Sequence, residues 1–293
     1  MIEYDKGIHL KGTDLWFDSG SKRALSFVSS AALEGPFNSE KIIATPETIR
    51  LLEGRIKKPV ALACPYERPF SLGNVRVELI PSGFMLGSSQ IVVQKDGKTI
   101  IYTGDICLRN LRTAKPAQVR KCDVLVVKCT FAAPKYSFPS AGKVAGEIIE
   151  FTRRTLSSGA VPVLLAESSG KAPELAKILS DEGSGLLLHK SVYETVKIYE
   201  ESGITFSNYE AYKPGRAEGR VVIFPLGKGG SADLGKLPKK SVAVVTEFSE
   251  DERANLKNAH RADEAFPFST CADFDELVQL VDMRLDRPEH AEA

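Results

Sequence analysis

The sequence predicts a mixed α/β (α+β) chain in two parts, a β-rich first half of stacked sheets and a second half with helices against a parallel sheet. Two changes in hydrophobic period predict it. Up to about residue 130 the apolar residues fall in short runs, some alternating with period two and bounded by turn residues. From about Ser140 runs of helical spacing alternate with continuous apolar strands, the order of βα units. Composition agrees: 293 residues, 43% hydrophobic and 26% charged, is that of a folded globular chain and excludes disordered, collagen-like and coiled-coil readings.

In chain order, Ile8–Leu10, Asp14–Asp18 and Leu25–Val28 read as strands, and Pro46–Glu53 as a short helix. Gly73–Ile80 alternates at Val75, Val77 and Leu79. Gln90–Gln94 and Lys98–Thr103 flank Asp96-Gly97, a hairpin-turn dipeptide. Asp123–Val127 is a continuous apolar run, which predicts a strand buried on both faces. The second half reads as helix Ala145–Leu156, strand Val161–Ala166, helix Ala172–Leu179, strand Gly185–His189, helix Val192–Glu201, strands Val221–Phe224 and Val242–Val245, and helix Asp273–Met283. Pro134–Gly142 and Gly227–Lys240 are the candidate linkers, and Trp16 is expected in the core.

The 39 basic and 38 acidic residues nearly cancel, so nothing draws the whole chain to nucleic acid or membrane. Charge is uneven, however. Leu108–Lys121 holds Arg109, Arg112, Lys115, Arg120 and Lys121 with no acid, Ala211–Lys240 is basic, and the chain from Glu247 onward is acidic. Such stretches read as solvated faces or as a phosphate-tracking surface. Five cysteines without C-x-x-C spacing argue against a zinc knot or disulfide framework and predict a reducing cytoplasm. No apolar run has the length of a membrane helix, and Met1–Asp5 does not read as a signal peptide.

Several strings taken together resemble one family. Gly83-Phe84-Met85-Leu86-Gly87-Ser88-Ser89-Gln90, Tyr102-Thr103-Gly104-Asp105, Cys122-Asp123-Val124-Leu125, Gly159–Leu165, Ser168-Ser169-Gly170-Lys171-Ala172, Leu188-His189 and Ala265–Ser269 before Ala272-Asp273 are similar to metallo-β-lactamase-fold nucleases of the β-CASP group. The nearest type resembles RNA 3′-end processing factors and is often found beside a DNA ligase. The resemblance covers nearly the whole chain. It implies an αββα metallo-β-lactamase sandwich over 1–145 and 260–293, the latter piece truncated, with a β-CASP α/β domain inserted at 146–259.

The resemblance also implies a site, and here the residues depart from it. Active relatives hold two metal ions, zinc being the expected one, with His and Asp, and use them to ionise water and clamp phosphate. Where a His-x-His-x-Asp-His string belongs, this chain reads Ser30-Ala31-Ala32-Leu33-Glu34-Gly35. Phe84 stands for another histidine, Lys128 for an acid and Cys271 for the histidine of the last motif, and Asp105 survives. Ala and Gly offer no donor atom, and serine is a poor ligand beside imidazole. A dead hydrolase site with no metal or other cofactor is therefore expected. A rebuilt site on Asp105, Glu34, Cys271 and His260 or His290 is the alternative, as is a purely structural Asp105 that caps backbone amides.

Other residues are candidates for binding a strand of nucleic acid. Ser168, Gly170 and Lys171 lie between a strand and a helix, where outward amides and the helix dipole favour an anion. An N-cap role for Ser168 is the bland alternative. His189 matches a family histidine that contacts phosphate. Arg109, Arg112 and Arg120 supply local charge, whereas Phe131 and Tyr136 read as core packing before base stacking. Gly227-Lys228-Gly229-Gly230 lacks Walker spacing. Three functions are open on the sequence: a non-catalytic homologue binding single-stranded nucleic acid, an active paralogue or a second copy of itself; an active nuclease with a rearranged site; and a protein-interaction module.

Overall fold

The computed structural model describes residues 1–32, 38–56, 59–227, 231–237 and 239–284. Leu33, Glu34, Gly35, the Lys228–Gly230 string and His290 lie outside the described residues. The chain forms two compact units, one of 1–110, 114–133 and 271–293, the other of 111–113 and 134–270.

The first unit stacks two sheets. Strands β1 (Ile2–Tyr4), β2 (Ile8–Leu10), β3 (Leu15–Phe17), β4 (Leu25–Phe27), β5 (Lys41–Ala44) and β6 (Val60–Ala63) run in sequence order, antiparallel as far as β3 and parallel beyond it. The second sheet holds β7 (Phe70–Leu72), β8 (Val75–Pro81), β9 (Ser89–Lys95), β10 (Lys98–Tyr102) and β11 (Val124–Val126), with β11 parallel to β10. Alternation works as expected: Val75, Val77 and Leu79 of one sheet meet Leu15, Phe17, Phe27 and Ile43 of the other in a shared core. Between β9 and β10, Asp96 (φ 51°) and Gly97 (φ 74°) both adopt the left-handed conformation of a two-residue hairpin.

Helix α1 (Pro46–Leu52) is capped by Thr45, whose hydroxyl accepts the Thr48 amide at 3.2 Å and donates to the Gly87 carbonyl at 2.6 Å. The Gly83–Ser88 loop is thus anchored on α1. Two expectations fail here. Strand β11 is only half-buried, because it ends its sheet and pairs on one flank. Trp16 is half-buried too, stacked on His9 at 4.3 Å with the Arg23 guanidinium 3.4 Å from its ring centre.

The second unit is a parallel six-stranded sheet in the order β14-β13-β15-β12-β16-β17, formed by β12 (Val161–Ala166), β13 (Leu186–Leu188), β14 (Tyr209–Ala211), β15 (Val221–Pro225), β16 (Lys240–Thr246) and β17 (Glu264–Pro267). Helices α2 (Ala141–Ser157), α3 (Lys171–Asp181) and α4 (Lys190–Glu201) cover one face, where Ile148, Phe151, Leu175 and Val196 pack on Leu164, Ile223 and Val245. The other face buries Val163, Phe224 and Val244 beside Leu256 of α6 (Arg253–His260), which follows the short α5 (Ser231–Leu234). Burial on both faces explains the unbroken apolar strands. Helix α7 (Phe274–Arg284) returns to the first unit, with Leu277 and Leu280 against Ile106 and Ala272. No helix among the described residues is long and apolar enough to cross a membrane.

Candidate functional site

The parallel pairing of β3 with β4 and of β10 with β11 brings the loops after these strands together in the first unit. Register does the positioning: Tyr102 pairs with Val126, which sets Asp105 and Lys128 at the same level beyond the sheet. The Lys128 amide donates to Thr103 Oγ1 at 3.2 Å, fixing its backbone. The Lys128 ammonium then lies 2.6 Å from Asp105 Oδ2, and Thr130 Oγ1 lies 3.5 Å from Oδ1. Asp105 is 11% exposed and Lys128 44%. Burial pulls the Lys128 pKa down, but the charge and hydrogen bond of Asp105, with Asp18 and Cys271 behind them, outweigh it and hold it above the usual lysine value.

Asp18 closes β3 in a left-handed conformation (φ 44°). Its carboxylate accepts the Ser29 amide at 2.7 Å, the Ser29 hydroxyl at 2.5 Å and the Tyr102 hydroxyl at 2.9 Å. Burial nevertheless pushes its pKa up, and burial with the Asp18 charge pushes that of Tyr102 up as well. Sequence reasoning gave Asp18 no role; an acid ending an apolar strand was the available signal. Ser30 is buried with its hydroxyl accepting the Ala32 amide at 3.3 Å, and Phe84 is half-buried.

These residues do not fit a two-metal centre. The ammonium bonded to Asp105 opposes a further cation there: two unit charges repel by about 4 kcal/mol at 4 Å and an effective dielectric near 20, and a dication doubles this. Among the described residues, no three His, Cys, Asp or Glu side chains converge as a ligand set.

In the second unit the candidate phosphate-binding residues have internal partners. Lys171 is 5% exposed, with its ammonium 2.8 Å from both Glu247 oxygens and 3.2 Å from Glu167. Burial raises the Glu247 pKa, but the Lys171 charge and hydrogen bond and the Thr270 amide bring it below the usual value. The N-cap of α3 is Gly170 rather than Ser168, which lies two residues before the cap; its hydroxyl sits 3.4 Å from that of Ser191. His189 caps α4: Nδ1 accepts the Ser191 amide at 3.2 Å and lies 2.9 Å from the Ser191 hydroxyl.

The three arginines are likewise paired within their own units. Arg109 bridges Asp273 (2.6 Å) and Glu276 (3.0 Å) of the first unit. Arg112 bonds Asp181 at 2.8 Å in the second, while its amide and the amide and hydroxyl of Thr113 donate to the buried carboxylate of Glu174 at 2.8, 2.9 and 2.6 Å. Burial pushes the Glu174 pKa up despite these bonds. Arg120 reaches Glu78 at 3.0 Å in the first unit. Tyr136 donates to Glu252 at 3.0 Å and packs near Phe138, and Phe131 is half-buried.

No family model matches the chain. It is similar to a probable DNA ligase of Opitutus terrae, 28% identical over 284 residues, 96% of this chain and 28% of the ligase. It is also similar to an RNase J-like protein of Methanocaldococcus jannaschii, 26% identical over 63% of this chain and 45% of that protein, and to RNase aCSPSF2 of Saccharolobus solfataricus, 26% identical over 41% of this chain and 25% of that protein. These relatives point to a metallo-β-lactamase/β-CASP nuclease family. The chain spans about a quarter to a half of the length of these relatives. The fold is shared with a crystal structure of a protein of unknown function from Enterococcus faecalis, at a TM-score of 0.61 and 13% identity over 88% of this chain and 72% of that one.

Proposed function

We propose that this chain is a catalytically inactive β-CASP nuclease homologue, an αββα sandwich with an inserted α/β domain, that acts in the cytoplasm as a scaffold or regulatory subunit of DNA or RNA processing. The observation that carries the reading is the ion pair of Lys128 with Asp105, a lysine ammonium bonded to the surviving acid of the site. The processing context comes from the ribonuclease and ligase names of the relatives. Purified protein given single-stranded DNA or RNA with Zn²⁺ or Mn²⁺ is expected to leave both uncut. Cleavage that disappears in Asp105→Ala would sink the proposal.

The internal pairing of Lys171, Arg109, Arg112 and Arg120 favours a partner protein, an active paralogue or a second copy of this chain, over a nucleic-acid strand as the main contact. A salt titration of oligonucleotide binding checks this. Only shallow dependence on salt is expected at the candidate strand site, since Lys171, Arg109, Arg112 and Arg120 are each held by an acid. A steep slope that falls in His189→Ala would restore the strand-binding role of Ser168, Gly170 and His189.

A further inference from the structure

A cavity in the second unit points beyond the reading above and does not depend on it. On the sheet face opposite α2, α3 and α4, a cavity of about 540 Å³ lies over β12 and β16, between α5 and the end of α6. That volume is in the range of small-molecule sites. Its floor is apolar: Leu165 and Val242 from the sheet and Leu234 from α5. Its mouth is basic. Lys240 opens β16, His260 ends α6 and Arg261 follows as the helix cap; Lys240 is half-buried and the other two are exposed. No described lining residue is acidic, and none of the three basic residues forms an ion pair among the described residues. The Lys240 ammonium lies 3.4 Å from the Leu237 carbonyl. The acids nearby are engaged otherwise: Asp263 accepts the Ser241 hydroxyl at 3.1 Å and the Val242 amide at 2.8 Å, and Asp233 pairs with Lys236 at 3.0 Å. These cations thus differ from Lys171, Arg109, Arg112 and Arg120, which acids hold. Arg261 also sits at φ +50°, the left-handed position past a helix end that glycine usually fills. An arginine there costs backbone energy that glycine would not, which favours a use for its side chain.

We propose that this cavity binds a phosphorylated small molecule with a flat apolar body, the chemistry of a mononucleotide. The basic mouth takes the phosphate, and the Arg261 guanidinium suits two phosphate oxygens at once. Leu165, Val242 and Leu234 cover the body. A bare phosphate would leave that apolar floor in water, and an uncharged body would leave the three basic residues without a counter-ion. Both halves of the ligand are therefore needed.

Calorimetric titration of the full chain with AMP tests the proposal, with adenosine and ribose 5-phosphate as the two halves of the probe. AMP is expected to bind, and each half to bind at least about tenfold more weakly. Arg261→Gly is the decisive variant. It relieves the left-handed strain, so it should melt no lower than wild type, yet lose about tenfold in AMP affinity with the charge-assisted contact. Lys240→Gln should lose affinity in the same direction and serves as the second variant. A 5′-phosphorylated oligonucleotide that displaces AMP would assign the site to the end of a strand, and one that does not would assign it to a free small molecule; either result supports the pocket. No binding at millimolar AMP overturns the inference. So does AMP affinity unchanged in Arg261→Gly, which would put the ligand elsewhere, or AMP binding no tighter than ribose 5-phosphate, which would leave an unspecific cluster of charge. None of these results bears on the cleavage assay, so the inactive-homologue reading stands or falls separately.

Discussion

Lys171→Met is expected to destabilise the second unit by about 3–5 kcal/mol, the usual cost of leaving one member of a buried ion pair without its partner. The partner is Glu247, 8% exposed, which would keep the Thr270 amide at 3.0 Å but lose the nearest charge. The pH dependence should invert. In the wild type the folded-state pKa of Glu247 lies below the ordinary 4.5, so the pair stabilises above that value and its contribution is lost as pH falls through the folded pKa. In Lys171→Met burial remains without compensation, and the folded pKa moves above 4.5. Stability is then highest below 4.5 and is lost as pH rises through the new value. Chemical denaturation at pH 4 and pH 7 (about half a unit below and well above the usual carboxylate pKa) reads both arms. A mutant penalty equal at the two pH values would contradict the assignment. Lys171→Ala would therefore be a misleading probe of nucleic-acid binding, since lost folding would pass for lost affinity.

Gly104→Ala is the second large effect, expected to cost about 2–5 kcal/mol from left-handed backbone strain and overpacking together. Gly104 has φ +55°, and a Cβ there would sit 2.4 Å from both Cβ and Oγ of Ser29. Ser29 cannot retreat freely, because its amide and hydroxyl are both bonded to Asp18. The loss should therefore reach the Asp18–Tyr102 contact, and hydrogen exchange at the Ser29 amide should quicken along with global unfolding. A variant as stable as wild type, with Ser29 still protected, would show that the two loops are not held as described.

Much of the fold was legible because the hydrophobic period was intact wherever burial was simple. Strands β8 to β10 follow from alternation and from Asp96-Gly97, and the helices of the second unit from the spacing of Ile148, Phe151, Leu175 and Val196. Strands of three residues, such as β1 and β14, are too short to show a period. Strand β6 reads Val60-Ala61-Leu62-Ala63 and is exposed throughout, so burial leaves no alternation in it.

At the candidate site, Ser30, Phe84, Lys128 and Cys271 could be set against a motif in the sequence. Their neighbours in space, and the ion pairs elsewhere, could not. Lys171 meets Glu247 across 76 positions and Arg109 meets Asp273 across 164, and no local signal announces such pairs. A basic stretch in sequence is therefore a poor guide to free cations: Arg109, Arg112 and Arg120 each find an acid on a separate element.

The Glu174 clamp has a practical bearing on dissection of the molecule. Leu111–Thr113 belongs with the second unit although the chain on either side of it belongs with the first. A fragment cut at 134–270 would leave that carboxylate without two amides and a hydroxyl, sealed in an interior where ionisation is already costly. The smallest faithful excision is a graft, with the tripeptide carried along as a tethered guest.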